Sequence, residues 1–367
     1  MRVPASVGSG ADIVAVTRAW PGRPRDGGGV TIEGRDQRGR LRAGSVGPDG
    51  AVTLLPYGVD PRLPGLAGLV GLEGRPAAAR APGLPAELVV HRAGRRAVVR
   101  TAEGYTKVLR PGAAVAVAAA TRTGELLAGR AGLATPGLVR TDDDSITSSV
   151  LPGRPVHELS ESVAWSRIWQ TWAQAWIRLQ RGRPEDSAEL PRHADLDEAR
   201  VVRGWLDRTR AVGLLPLEWE HRGAALARRL EEQHGHEQLV PAHRDLHDLQ
   251  LLWDGSRLGV LDLDTVCLAA AELDPVNLAV HADLRRAQGV WSPAAAAVVE
   301  HAALCVVGAV GSGGVDDLRA GRLRTDRLRT AELATVVRLV CVYSFRPRWR
   351  DVVLEWAQGR WHEATDR

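Results

Sequence analysis

Residues 243–264 constrain this chain more than any other segment. A polar turn at residues 254–256 separates two short apolar runs, which read as the strands of a hairpin. Asp245 precedes the first run and Asp262 ends the second, so the hairpin brings both carboxylates toward one pocket. Phosphoryl transfer uses two carboxylates in this way, one to orient a hydroxyl and one to hold Mg²⁺ against phosphate oxygens. The segment therefore favours phosphoryl-transfer chemistry.

Lys107 is the only lysine among the 367 residues, whereas the other basic positions hold arginine. It lies in the third of three β-type runs that are separated by turns at Ala93-Gly94 and Glu103-Gly104, a pattern that predicts an antiparallel meander. A compact ammonium fits between phosphates where a broad, planar guanidinium does not. The pattern therefore indicates that Lys107 binds phosphate.

The rest of the chain divides by composition into three parts. Residues 1–80 contain short β-type runs at 29–33 and 51–55, which predict a small β-rich cap whose end is marked by a cluster of prolines. Residues 81–152 read as β-β-β-α-β-β, since an Ala-rich stretch follows the meander and two more strands follow that. Residues 153–367 are predicted to be mainly helical. The expected fold class is therefore α+β.

A tryptophan stripe marks the first helix of the third part. Trp165, Trp169, Trp172 and Trp176 recur at spacings of three and four, which predicts a helix with one apolar face buried in the core. Stacking of these rings on a substrate is the less favoured interpretation. Helices are predicted at Leu159–Arg181, Leu196–Val212, Gly223–Gln233, Pro275–Arg286, Pro293–Val310 and Thr325–Phe345.

The stretch His243-Arg244-Asp245, followed by Gln250 and Asp262, resembles the catalytic core of the aminoglycoside phosphotransferase and choline kinase group, which are relatives of the protein kinases. The order of these motifs after Lys107 also matches that group. The resemblance implies a two-lobed kinase-like fold and the transfer of the γ-phosphoryl group of ATP, with Mg²⁺ as cofactor.

The resemblance also implies a role for each matching position. Asp245 would be the catalytic base or hydroxyl-orienting carboxylate, and Gln250 and Asp262 would be the Mg²⁺ ligands. Gln250 stands where most relatives carry asparagine. On the nucleotide side the implied residues are Lys107, its ion-pair partner Glu125, and the backbone of Ser149 and Leu151 at the adenine edge.

Three neighbouring positions invite other interpretations. His247 and Asp248 lie inside the catalytic loop and suit structural hydrogen bonding as well as contact with substrate or metal. Asp274, which precedes a proline, is expected to cap a helix and brace the loop.

The turn at 92–96, between the first two strands of the meander, corresponds to the phosphate-covering turn of the kinases. It lacks the full Gly-x-Gly-x-x-Gly pattern of the protein kinases.

Bulk composition excludes several classes of protein. The net charge of +4 is small against 48 basic and 44 acidic residues, so nucleic-acid binding is not expected, and Arg92, Arg95, Arg96 and Arg100 read as solvated strand positions. Three widely spaced cysteines indicate neither a disulfide framework nor a metal site. This use of cysteine favours a reducing cytoplasm, and we expect no signal peptide and no membrane span.

The acceptor is left open by the sequence. A small hydroxylated molecule such as an aminoglycoside, a sugar or an amino alcohol is the first hypothesis, and a cationic acceptor would need an acidic pocket. Serine or threonine of a precursor peptide is the second, with the basic cap as a docking surface. A nucleotide-binding scaffold without catalysis is the third. The acidic residues that suit a cationic acceptor are Glu185, Asp186, Glu189, Asp195, Asp197 and Glu198.

Overall fold

The computed structural model describes residues 2–9, 12–22, 28–70, 86–182, 189–232, 239–310 and 318–365, with the side chains of 310 and 318–324 left aside. The prolines predicted to end the cap at 76, 82 and 85 lie outside these ranges. The N-terminal part is a five-stranded antiparallel sheet in the order β1-β2-β3-β4-β5, so the predicted β-rich cap is confirmed. Its strands are β1 Ser6–Ser9, β2 Asp12–Pro21, β3 Val30–Asp36, β4 Leu41–Val46 and β5 Val52–Leu54.

The N-terminal sheet contacts both of the lobes that follow it. Its buried valines and Ile32 share a hydrophobic cluster with Leu214 and Phe345 of the helical lobe. On the other side, buried Glu33 accepts a hydrogen bond from the backbone N–H of His91, at 2.7 Å. The sheet is therefore packed between the two lobes.

The second sheet carries the lysine. Its order is β6-β7-β8-β10-β9, and its first three strands form the predicted meander. Lys107 pairs with Val98 on one side and Ile146 on the other, so it lies in the middle of the sheet. The elements are α1 Gly65–Val70, β6 Glu87–Arg92, β7 Arg96–Thr101, β8 Gly104–Val108, α2 Ala114–Arg130, β9 Leu138–Thr141 and β10 Ser145–Ser148.

The third part is mainly helical, as predicted. Its described helices are α3 Trp165–Gln180, α4 Asp195–Ala211, α5 Leu217–Glu232, α6 Leu273–Ala287, α7 Pro293–Val310, α8 Leu318–Tyr343 and α9 Arg350–Thr365. The tryptophan stripe of α3 is buried in the largest cluster, where Trp165 and Trp169 meet Trp291 edge to face. The interpretation of this stripe as core is confirmed, since burial of such rings dominates core energetics.

Short strands within the helical lobe carry the predicted hairpin. β14 (Leu251–Trp253) pairs antiparallel with β15 (Leu258–Val260), and β11 (Arg154–Pro155) adds a third strand beside β14. A second small sheet holds β12 (Arg192–His193), β13 (Val240–Ala242) and β16 (Cys267–Ala269). Together the two small sheets frame the 243–264 segment.

The architecture confirms the α+β class and the kinase-like arrangement of a β lobe and a helical lobe. Helix α9 and the short helix α1 were not predicted from the sequence. Among the described residues, no helix combines the length and the apolar content needed to cross a membrane.

Candidate active site

The loop that contains Asp245 is held by a buried carboxylate from α6. Asp274 accepts hydrogen bonds from the backbone N–H groups of His243, at 2.6 Å, and Arg244, at 2.8 Å. Burial raises the pKa of Asp274, although the two N–H groups and the nearby His243 oppose that shift. Asp274 therefore braces the loop, as expected. It does not cap the helix, because the N-cap is Glu272 and Asp274 lies in the first turn.

His243 ties this loop to the segment that carries Asp262. Its Nε2–H donates to the backbone carbonyl of Leu261 at 2.8 Å, so its Nδ1 faces the backbone N–H of Asp245 at 3.4 Å. The hydroxyl of Thr265 donates to the carbonyl of His243 at 2.9 Å. These bonds fix the two predicted carboxylates relative to each other through one buried imidazole.

Two residues in these loops have left-handed backbone angles that non-glycine residues rarely adopt. Arg244 has φ 72° and Asp262 has φ 52°. Such conformations cost of order 1–3 kcal/mol and cluster at functional sites, where surrounding contacts hold them in place. The strain at Arg244 and Asp262 is consistent with a site built for chemistry, and both Asp245 and Asp262 are exposed.

Lys107 reaches across the cleft to the segment after β15. Its Nζ lies 2.9 Å from Oδ2 of Asp264 and 3.5 Å from Oδ1 of Asp262. Burial raises the pKa of Asp262, but the Lys107 ammonium, Arg96 and His243 outweigh it, so the pKa is held below its ordinary value. Asp262 is therefore ionised at neutral pH and available to a cation.

Gln250 also meets Asp262. Its Nε2 lies 3.4 Å from Oδ2 of Asp262 and 3.5 Å from Nε2 of His247. The structure therefore brings together Lys107, Gln250 and Asp262, three of the residues singled out in the sequence. No role was predicted for Asp264 from the sequence, although it follows Asp262 by two residues in Asp262-Leu263-Asp264.

Glu125 is not brought to Lys107. Among the described residues no ion pair joins them; Glu125 Oε1 is buried without a hydrogen-bond partner, and burial raises the pKa of this carboxyl. Helix α2 packs against the turn Leu263–Thr265, so closely that a Cβ added at Gly124 would be 2.6 Å from Cβ of Leu263. Asp264, within this turn, is the carboxylate next to the lysine.

Asp262 offers carboxylate oxygens, the ligand type that Mg²⁺ prefers, whereas Gln250 turns its amide nitrogen toward Asp262 at 3.4 Å. Mg²⁺ in nucleotide sites is usually held by one or two carboxylates together with substrate phosphates. Within the described ranges, no group of three or more His, Cys, Asp and Glu side chains is close enough to hold a metal by itself. The donor set is thus suited to a metal that arrives with a phosphate ligand.

The predicted adenine edge lies at the junction between the lobes. The backbone N–H of Ser149 donates to the carbonyl of Gly137 at 2.8 Å, and its hydroxyl accepts from the N–H of Gly137 at 3.0 Å. These bonds fix the strand end beside Leu151. The roles of the Ser149 carbonyl and the Leu151 N–H stay predictions.

Behind the loop that contains Asp245 lies a buried network of charged side chains, which the sequence did not predict. Asp248 is fully buried; it contacts Nδ1 of His157 and pairs with Arg285 at 3.0 Å. Although burial raises the pKa of Asp248, His157 and Arg285 outweigh it and lower the pKa far below its ordinary value. Asp248 therefore has a structural role. His247 stacks on buried His281 with 5.2 Å between ring centroids.

Of the acidic run, Glu189 lies exposed in a turn, whereas Asp195, Asp197 and Glu198 belong to the first turn of α4. Glu198 is buried between His193, at 2.8 Å, and Arg338, at 3.3 Å. Asp197 accepts a hydrogen bond from the backbone N–H of Ala194 at the start of α4. Glu185 and Asp186 lie outside the described residues. Glu198 and Asp197 are therefore engaged in holding the fold.

Comparison with known proteins identifies a family. The family model described as the phosphotransferase enzyme family matches residues 87–308, more than half of the chain. The match begins at β6 and ends in α7, so it spans Lys107 and the whole 243–264 segment and leaves out the N-terminal sheet. No curated protein matches the sequence significantly.

The chain is similar to several solved structures. One is a macrolide 2'-phosphotransferase from Brachybacterium faecium, at 17% sequence identity. The alignment covers 73% of this chain and 90% of that chain, with a TM-score of 0.42. A choline/ethanolamine kinase family protein from Mesorhizobium loti has 16% identity, with coverage of 82% and 92% and a TM-score of 0.49. A glucosamine kinase in complex with glucosamine, ADP and inorganic phosphate has 20% identity, with coverage of 89% and 91% and a TM-score of 0.46.

Proposed function

Because the chain belongs to the phosphotransferase enzyme family, we propose that it moves the γ-phosphoryl group of ATP onto a hydroxyl of a small molecule. The observation that carries this proposal is the meeting of Lys107, from the β lobe, with Asp262 and Asp264, from the helical lobe. A lone ammonium and two carboxylates facing one cleft are the groups that phosphoryl transfer uses.

Each side chain has a distinct part in the proposed reaction. Lys107 binds the α- and β-phosphates as a compact positive charge. Asp245, which is exposed next to His243, accepts the proton of the acceptor hydroxyl as that oxygen bonds to the γ-phosphorus. The bond between the γ-phosphorus and the bridging oxygen breaks, and ADP leaves with the electron pair.

Asp262 and Gln250 would hold Mg²⁺, which neutralises the charge that develops on the phosphate oxygens. The depressed pKa of Asp262 keeps its carboxylate ionised for this purpose. Gln250 is already placed against Asp262, so its amide oxygen needs only a change of side-chain rotation to face the same ion.

The acceptor class that we propose is a small hydroxylated metabolite, such as an aminoglycoside, a sugar or an amino alcohol. The test is transfer of labelled phosphate from ATP to a panel of these compounds, with product identified by mass spectrometry. No phosphorylated product with any member of the panel, together with ATP hydrolysis that is unaffected by the Asp245→Asn substitution, would contradict the proposal.

Variants of the two lobes sharpen this test. Lys107→Met is expected to lower the transfer rate by about 10² to 10⁴, because it removes a charge aimed at the triphosphate. Lys107→Arg keeps the charge and is expected to recover little, since a guanidinium does not reproduce the ammonium geometry. Asp254→Asn, on the exposed β14–β15 turn, makes the same chemical change as Asp245→Asn away from the cleft and serves as the matched control.

A further inference from the structure

A cavity of about 280 Å³ lies between the N-terminal sheet and the turn that joins β6 to β7. One wall is formed by the N-terminal sheet and includes Thr31, Ser45 and Thr53. Neither Lys107 nor Asp262 belongs to its lining. Its size is near the lower end of the range for small-molecule sites.

Arginines dominate the charge of this cavity. Four of them line it: Arg62, Arg92, Arg95 and Arg110. Among the described lining residues the carboxylate is that of Asp60, which is buried and already accepts hydrogen bonds from the N–H of Gly94, at 2.6 Å, the N–H of Arg62, at 2.9 Å, and Nε2 of His91, at 3.1 Å. Asp60 therefore anchors the turn.

Arg92 stands out among the four arginines. Its Nε is buried without a hydrogen-bond partner, and within the described residues its guanidinium makes no ion pair. It lies over the ring of Trp20 at 5.2 Å, and Arg346 lies over the same ring at 5.2 Å. Burial, followed by repulsion from Arg95, Arg96, Arg346 and Arg208, lowers the pKa of Arg92 to about 9.

These facts change the interpretation of the arginine run. The sequence predicts solvated strand positions, yet Arg92 is partly buried in a cavity among other cations. An unpartnered buried donor costs free energy unless a ligand satisfies it. A bound anion would both accept from the Arg92 guanidinium and relieve the repulsion between the arginines.

We propose that this cavity binds a small phosphate monoester, with Arg92 as the principal cation and the wall that includes Thr31, Ser45 and Thr53 facing the rest of the ligand. A guanidinium matches phosphate through paired, parallel N–H donors, which suits a dianion better than a monoanion. Thr31, Ser45 and Thr53 can donate to or accept from ligand hydroxyls. The proposal does not depend on the reaction proposed above.

Isothermal titration calorimetry with glucose 6-phosphate and with inorganic phosphate tests the proposal, because the first probe adds hydroxyls to the same anion. Both probes are expected to bind the full chain, and glucose 6-phosphate more tightly. Arg92→Gln is expected to weaken binding by about tenfold or more, since it removes a charge-assisted hydrogen bond. Arg100→Gln, on the exposed part of β7, is the matched control and should bind as the unmodified protein does.

Lys107→Met separates the two phosphate sites, because it disables the cleft and leaves the cavity intact. Glucose 6-phosphate binding that disappears in Lys107→Met, or that is unchanged in Arg92→Gln, would overturn the proposal, as would no heat of binding up to about 10 mM of either probe. If Arg92→Gln lowers the melting temperature, the exposed neighbour Arg95→Gln provides a second test with less effect on packing, and it should also weaken binding.

Discussion

Lys107 shows how one side chain connects the two lobes. It lies on the central strand of the second sheet, and its ammonium ends between two carboxylates that follow β15. Asp264 is the nearer of the two. A partly buried ion pair of this kind orients the lysine more than it adds stability, because desolvation of the charges offsets much of their attraction.

Asp264→Asn is predicted to lower kcat/KM for ATP by about tenfold to a hundredfold, since a misplaced lysine binds the triphosphate less well. Steady-state kinetics at varied ATP concentration would measure the change. Asp254→Asn provides the comparison, because the same substitution on an exposed turn should leave kcat/KM unaltered. Equal kcat/KM values for the two variants would contradict a role for Asp264 in the active site.

The buried ion pair of Asp248 leads to a second prediction for a single residue. Asp248→Asn is expected to lower the free energy of unfolding by about 3–5 kcal/mol at neutral pH, because Arg285 is left with an uncompensated buried charge. Urea denaturation followed by tryptophan fluorescence measures this difference.

The pH dependence of that difference has a definite sign. The pKa of Asp248 is lower in the folded protein than in the unfolded chain, so its stabilisation is fully present above the ordinary pKa of about 4. It is lost progressively as the pH falls below that value toward the folded-state pKa. The difference in the free energy of unfolding between the wild type and Asp248→Asn should therefore narrow as the pH falls below about 4, by up to about 1.4 kcal/mol per pH unit. A gap that stays constant or widens would contradict the assignment.

At the scale of elements, the approach of α2 to the Leu263–Thr265 turn depends on one glycine. Gly124 leaves no room for a side chain, because an added Cβ would also lie 2.8 Å from the carbonyl oxygen of Leu263. Gly129 lies on the same helix, and nothing is within 4 Å of its added Cβ. The two positions therefore form a matched pair.

Gly124→Ala is predicted to lower the free energy of unfolding by about 1–3 kcal/mol, since the helix must move away from the turn. Gly129→Ala is predicted to raise it by up to about 1 kcal/mol through higher helix propensity. Chemical denaturation of both variants tests the pair. The contact between α2 and the turn would be refuted if both substitutions stabilised the protein.

Elements with a strong local pattern could be predicted from the sequence. The stripe of α3 and the apolar stretch of α7 have helical spacing, and the turns around Gly94 and Gly104 mark the meander that carries Lys107. Glu125 illustrates what local pattern cannot supply: it is an acidic residue on the expected helix, but the carboxylate that reaches the lysine is Asp264, from the turn after β15. The partners of Asp248 come from distant segments, and no spacing rule connects them.

At the scale of the whole molecule, the N-terminal sheet is bonded to both lobes. The N–H of Ala19 donates to the carbonyl of Phe345 at 2.8 Å, and Phe345 is buried among valines of the sheet. On the opposite side, Glu33 joins the sheet to β6 through His91. We therefore expect the sheet to contribute to the stability of the whole chain.

Phe345→Ala is predicted to lower the free energy of unfolding by about 3–5 kcal/mol, because it leaves a cavity between the sheet and the helical lobe. Leu304→Ala, at an exposed position of α7, should change it by less than about 0.5 kcal/mol. Hydrogen exchange would show whether the loss is shared, since amides in β2 and in α8 should lose protection together. Loss confined to β2 would mean that the sheet is only loosely attached.

The solitary lysine gives the protein a built-in chemical reporter. An amine-reactive reagent has one side chain to modify, and that side chain points into the cleft with 14% of its surface accessible. Acylation of Lys107, quantified by peptide mass spectrometry, can thus measure the fraction of the unmodified protein that has nucleotide bound. The fraction of residue 107 shielded at each ATP concentration would trace a binding curve without a probe being engineered.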